Sequence, residues 1–250
     1  MTTGTLVALT LVYFVVSVVS VVTGGGSLVQ VPALIALGMA PRAAVATNMF
    51  AVTWMTAAAT ARFARAGEVG GRFVVPLVVI TAVTSALGAE LAVVMPERLV
   101  KGVVAGSMLV MIAFIAARPG FGAAPEHPSR LRLGVGFVAV TVLGVYGGLF
   151  SGGYTTLLTF TCIAALGMPL MQTVGTTKLV NLASCAVASV VFVWAGLVDY
   201  RVAVPASLAS FVGGWAGAQL ALRRGERFVR GLFLVTVLAM AVKLLVDLVR

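Results

Sequence analysis

The chain has 250 residues, of which 61% are hydrophobic and 10% charged, with a mean hydropathy of +1.13. No water-soluble domain of this size presents such a composition to solvent, so a soluble globular fold is excluded. The net charge of +10, from 17 Lys and Arg against 7 Asp and Glu, falls in short loops between apolar segments and reads as membrane topology, not as a nucleic-acid surface.

Apolar segments are expected at 4–22, 28–37, 43–61, 73–95, 99–117, 133–150, 155–166, 170–194, 202–222 and 228–246. In a bilayer each must be helical, because no water is present to satisfy the backbone, and the long runs exclude a β-barrel with its alternating pattern. The fold class is therefore an all-α integral membrane bundle. The first segment lacks the basic start of a signal peptide and is expected to be a retained helix. Segments 28–37 and 155–166 are too short to cross: at 1.5 Å per residue each covers roughly 15 to 18 Å of a core about 30 Å thick. Each follows a glycine cluster, Gly24-Gly25-Gly26 or Gly152-Gly153, where an unwound turn between helical pieces is expected.

Offset by 129, the chain aligns with itself without a gap: Gly24 with Gly153, Gly38-Met39 with Gly167-Met168, Thr47 with Thr176, Phe63 with Phe192, Pro76 with Pro205, Glu97-Arg98 with Glu226-Arg227. Two tandem transmembrane repeats are expected, 1–117 and 131–250, joined by a polar linker at 118–130 that holds Pro119, Pro125, Pro128 and His127, the last a solvated loop residue. With five passes per repeat the second is inverted and the basic residues divide ten against five, Arg62, Arg65, Arg72 and Arg223 to Arg230 falling on the richer side. With four passes they divide eight to seven. The positive-inside rule favours inverted repeats, with both termini outside.

Lys178 lies nine residues beyond Pro169, about 14 Å along its helix and near mid-membrane, where an ammonium is costly and reads as functional. The structural alternative is a pair with Glu90. Thr176, Thr177 and Asn181 surround Lys178 on its helix, and the first repeat places Thr47 and Asn48 at the matching positions with Met49 in place of the lysine. One cation among neutral donors suits an anion. Thr and Asn alone would equally serve interhelical hydrogen bonds.

The candidate substrate site therefore comprises Lys178, Thr176, Thr177, Asn181, Thr47 and Asn48, with the starts of the short helices at Gly24, Gly25, Gly26, Ser27 and at Gly152, Gly153, Tyr154, whose N–H groups and positive dipole ends attract anions. Gln30 and Ser151 are further candidates, and Glu90, matching Gln219, is a candidate for ion coupling. Cys162 and Cys185 stand apart and read as small core residues. No metal site or cofactor is expected. A membrane enzyme would need clustered His, Cys or carboxylates, which this sequence lacks.

The glycine turn running to Pro32, then Leu37-Gly38-Met39, Ala44-Val45-Ala46-Thr47, Phe150-Ser151-Gly152-Gly153, Thr176 to Asn181 and Trp194 to Asp199 resemble the TauE/SafE sulfite exporter family over nearly the whole chain. The resemblance implies export of sulfite, sulfonates or related sulfur oxyanions across the bacterial inner membrane. The expected partners are a small anion and the lipid bilayer, without nucleic acid; a homodimer, an anion channel and an uptake carrier stay open as alternatives.

Overall fold

The computed structural model describes residues 3–116 and 128–249, and the expected linker with Arg118 and His127 lies almost wholly outside them. Among the described residues the chain forms only helices: α1 (Thr3–Thr23), α2 (Ser27–Ala36), α3 (Pro41–Arg65), α4 (Val74–Val94), α5 (Glu97–Ala116), α6 (Arg130–Leu149), α7 (Tyr154–Ala164), α8 (Leu170–Trp194) and α9 (Tyr200–Val249). α9 contains a non-helical Gly225 at φ 73° and ψ −173°, which breaks it where the sequence separates 202–222 from 228–246. The two segments expected to be short are α2 and α7, of 10 and 11 residues.

Burial is inside-out relative to a soluble protein. Val75, Val79, Val83 and Leu87 form an exposed apolar stripe on α4, as do Val135, Val138 and Val142 on α6. The interior instead holds Ser17, Thr47, Asn48, Thr56, Thr81, Ser85, Asn181, Ser184 and Ser210. That distribution is stable only where the surroundings are hydrocarbon and polar side chains find each other across helices. Ser17 donates to Ser210 at 3.2 Å, the Ser85 and Ser184 hydroxyls lie 2.7 Å apart, and Thr53 and Ser189 lie 3.0 Å apart.

Among the described residues four helices, α1, α4, α6 and α8, are long and apolar enough by length and composition to cross a membrane. α3 is as long as α8 but carries Arg62 and Arg65 in its last turn and is buried between α8 and α9, so it needs little apolar surface. The main packing pairs are α1 on α9, α4 on α6, α3 on α8 and α9, and α4 on α8. Glycines bring the first two pairs into backbone contact. A Cβ on Gly148 of α6 would collide with the backbone of Ser85 on α4, and one on Gly217 of α9 with that of Val18 on α1.

α3 and α8 run antiparallel. Thr47, near the start of α3, accepts from the Asp199 N–H just past the end of α8 at 3.1 Å, and Thr176, near the start of α8, donates to the Gly70 carbonyl just past the end of α3 at 3.4 Å. Arg42, Glu97, Asp199 and Tyr200 thus gather at one end of the bundle. Arg62, Arg65, Trp215 and Gln219 gather at the other, where both guanidinium groups lie over the indole at 5.7 and 5.3 Å.

Candidate functional site: a polar cavity between two helix breaks

α1 ends at Thr23 and turns at Gly24, φ 78°, into α2. Glycine is required there twice over: the left-handed backbone strains any residue with a Cβ, and a Cβ would also lie 2.7 Å from the Thr156 amide nitrogen. Thr155 Oγ1 donates to the Gly24 carbonyl at 3.2 Å and Thr156 Oγ1 to the Thr23 carbonyl at 2.6 Å. The first turn of α7 thereby satisfies carbonyls that the end of α1 would otherwise leave without partners. The two helix breaks are in contact.

Beside this contact is a small cavity of about 10 Å³, bounded by Ser20, Gly24, Gly26, Ser27 and Gln30 from the first break, Val52 and Met55 from α3, Ser151 and Thr155 from the second break, and Asn181 from α8. Asn48 Nδ2 donates to Ser27 Oγ at 2.9 Å, and Tyr13 donates to Asn48 Oδ1 at 3.1 Å. This chain occupies an acceptor site on the Ser27 hydroxyl and leaves its proton free to donate. Asn181 Oδ1 accepts from Cys185 Sγ at 3.4 Å. Gln30 is fully buried, and neither its Oε1 nor its Nε2 has a partner among the described residues.

Lys178 is 2% exposed, and its Nζ reaches the Ser20 carbonyl at 3.4 Å, on the residue that forms one wall of the cavity. It forms no ion pair among the described residues; the pair found there, Arg42 with Glu97 at 2.7 Å, lies at one end of the bundle. Glu90 does not pair with Lys178, which corrects the structural alternative raised from the sequence. It is exposed on α4, beside Leu87, Leu91, Val94 and Val145 on the apolar exterior. Glu90 therefore has no part in the cavity.

Of the residues singled out from sequence, Gly24, Gly26, Ser27 and Asn181 line the cavity, together with Gln30 and Ser151, while Asn48 and Lys178 stand one hydrogen bond behind its walls. Thr47 and Thr176 instead hold the opposite loops, and Thr177 bonds the Val174 carbonyl within α8 and approaches Thr159 of α7 at 3.4 Å. Gly25 accepts the Leu28 N–H in the first turn. Gly152, Gly153 and Tyr154 do not line the cavity: Gly152 accepts from Tyr146, a Cβ on Gly153 would meet Met111, and Tyr154 packs in a separate apolar cluster with its hydroxyl 3.4 Å from Thr81 Oγ1. Both breaks therefore reach the cavity, the first through Gly24, Gly26, Ser27 and Gln30 and the second through Ser151 and Thr155, while Thr155 and Thr156 also bond the end of α1.

Ser20, Val52 and Met55 were not singled out from the sequence. Ser20 had a signal, since Ser17, Ser20 and Gly24 follow helical spacing along one small, polar face. Met55, which accepts the Ser20 hydroxyl at 3.2 Å, had none.

The chain matches the model of the sulfite exporter TauE/SafE family over residues 9–244. It is 24% identical to a probable membrane transporter protein, ORF9, of a Sinorhizobium species across 94% of this chain and 90% of that one. To a probable membrane transporter protein of Haemophilus influenzae it is 25% identical, over 94% and 92% of the two chains. To the probable membrane transporter protein YfcA of Escherichia coli strain K12 it is 24% identical, over 90% and 84%. No solved structure matches it.

Proposed function

The chain belongs to the TauE/SafE family of membrane transporters, and from that premise we propose that it exports sulfite or a related sulfur oxyanion or small organosulfonate across the bacterial inner membrane. The observation that carries the anionic substrate is Lys178, a buried cation without a carboxylate partner among the described residues, one hydrogen bond behind a donor-lined cavity. A stranded ammonium at membrane depth is costly, and a substrate anion offsets that cost while bound. The start of α2 adds the Ser27 hydroxyl and the positive end of its dipole.

The transport cycle follows from two inverted repeats, 1–117 and 131–250, that rock about the cavity. Support comes from paired features spaced by 129 residues. Left-handed Gly24, Gly38 and Gly67 correspond to left-handed Gly153, Gly167 and Gly196, and the bounds of α3 correspond to those of α8. The Thr47–Asp199 and Thr176–Gly70 hydrogen bonds likewise join matching positions, Thr47 as acceptor and Thr176 as donor, and the antiparallel α3 and α8 fit an inversion. The end with Arg62 and Arg65 is the cytoplasmic one by the charge rule. An inside-negative potential then favours expulsion of an anion by about 2.3 kcal/mol per charge per 100 mV.

Proteoliposomes loaded with sulfite test this. The wild type is expected to show saturable efflux and counterflow, and Lys178→Met neither. Efflux that grows linearly with concentration and shows no counterflow contradicts the carrier.

A further inference from the structure

Gln30 presents the cavity with a donor and an acceptor that are both unmet. The side chain is fully buried, lies one helical turn from Ser27 on α2, and has no partner at Oε1 or Nε2 among the described residues. Leaving a buried amide unmatched is unfavourable, so its partners must come from what occupies the cavity. Rotating the amide exchanges its two ends but always leaves one end seeking an acceptor and the other a donor. A fully deprotonated oxyanion supplies acceptors alone. It satisfies Nε2 and Ser27, balances the nearby charge of Lys178, and sets its lone pairs against Oε1.

We propose that the ligand is a small, singly charged oxyanion that carries an O–H group of its own, and that Gln30 is the residue that reads this hydroxyl. The single charge matches a single cation, since Lys178 is the one basic side chain beside this cavity among the described residues and no carboxylate lines it. An ammonium donor would bring a second positive charge into the small space that Lys178 already serves, so a hydroxyl or a protonated acid oxygen fits where an amine does not. A site built around a hydroxyl discriminates strongly against the analogue lacking it, because its polar groups are then left unpaired. The inference rests on the anion reading of the preceding subsection and narrows it from sulfur oxyanions in general to those that keep a proton.

Hydroxymethanesulfonate and ethanesulfonate provide the test. Both are singly charged at neutral pH and similar in size, and they differ by a hydroxyl against a methyl. Purified wild type is expected to bind hydroxymethanesulfonate at least about tenfold more tightly, from calorimetry or ligand-dependent melting, which is the effect of one or two matched hydrogen bonds. Gln30→Met should bring the ratio near one and leave the ligand-free protein as stable as wild type or more so. Gln30→Glu, close in shape but negative, should bind neither. Equal binding of the two sulfonates by wild type overturns the proposal while leaving the anion reading in place, and a tenfold ratio that persists in Gln30→Met removes Gln30 from it. If neither sulfonate nor sulfite binds wild type, the anion reading fails and this inference fails with it.

Discussion

Lys178 Nζ lies 3.4 Å from the carbonyl oxygen of Ser20, so the buried cation of α8 is tethered to α1 at the edge of the cavity by a neutral acceptor, not by a carboxylate. A carboxylate partner would neutralise the lysine permanently. A carbonyl leaves its charge uncompensated.

Gly24 and Gly196 separate backbone strain from the fit at the site. Both have left-handed backbones, but a Cβ on Gly24 collides with the start of α7 whereas one on Gly196 meets nothing within 4 Å. Gly196→Ala should cost about 1 to 2 kcal/mol from strain alone and leave transport intact. Gly24→Ala should cost more and abolish flux, measured by melting and by efflux from proteoliposomes. Equal behaviour of the two variants contradicts the proposed contact between the breaks.

The close glycine packing of α1 on α9 and of α4 on α6 predicts matched sensitivity. Gly148→Leu and Gly217→Leu each force a side chain into a neighbouring backbone and should each lower stability by several kcal/mol, whereas Gly134→Leu, with open space around it, should change it by less than about 0.5 kcal/mol. Melting of the purified variants checks this.

Glu90→Gln should leave sulfite binding unchanged and alter stability by no more than about 0.5 kcal/mol, because Glu90 is exposed on α4 and remote from the cavity. Loss of pH-dependent flux in this variant, with binding intact, would restore the coupling role considered from the sequence.

Antiparallel α3 and α8 put the loops after them on opposite sides of the membrane. A cysteine replacing Glu68 should be protected from an impermeant thiol reagent in intact cells, and one replacing Leu197 should be labelled. The reverse pattern would contradict the charge argument, and labelling of both would contradict the inversion.

The helices were legible from the sequence because hydrocarbon leaves the backbone no alternative, and the two short ones because glycine clusters cut the apolar runs. The break at Gly225 was legible because the basic cluster interrupts the last run. The candidate cavity was legible in part: Ser27 at a broken helix lines it, and Lys178 at membrane depth stands one hydrogen bond behind its wall. Thr47 and Thr176 misled because threonine serves a loop carbonyl or N–H as readily as a ligand, and only the packing of α3 against α8 decides between them. The unequal use of the two breaks was not legible: the first lines the cavity with Gly24, Gly26 and Ser27, the second with Ser151 and Thr155 in place of Gly152, Gly153 and Tyr154. Matching residues predict a symmetrical pair, but Thr155 and Thr156 turn the start of α7 onto the end of α1.

Thermal melting of Lys178→Met with and without sulfite tests most directly whether Lys178 is the counter-charge for the substrate. Removing an unpaired buried ammonium relieves a desolvation penalty, so the ligand-free variant should melt at or above the wild-type temperature. Sulfite at about 100 times its dissociation constant should stabilise wild type by about 2.7 kcal/mol and the variant by none. A Lys178→Met protein that sulfite still stabilises as it does the wild type would remove Lys178 from the site and contradict the account.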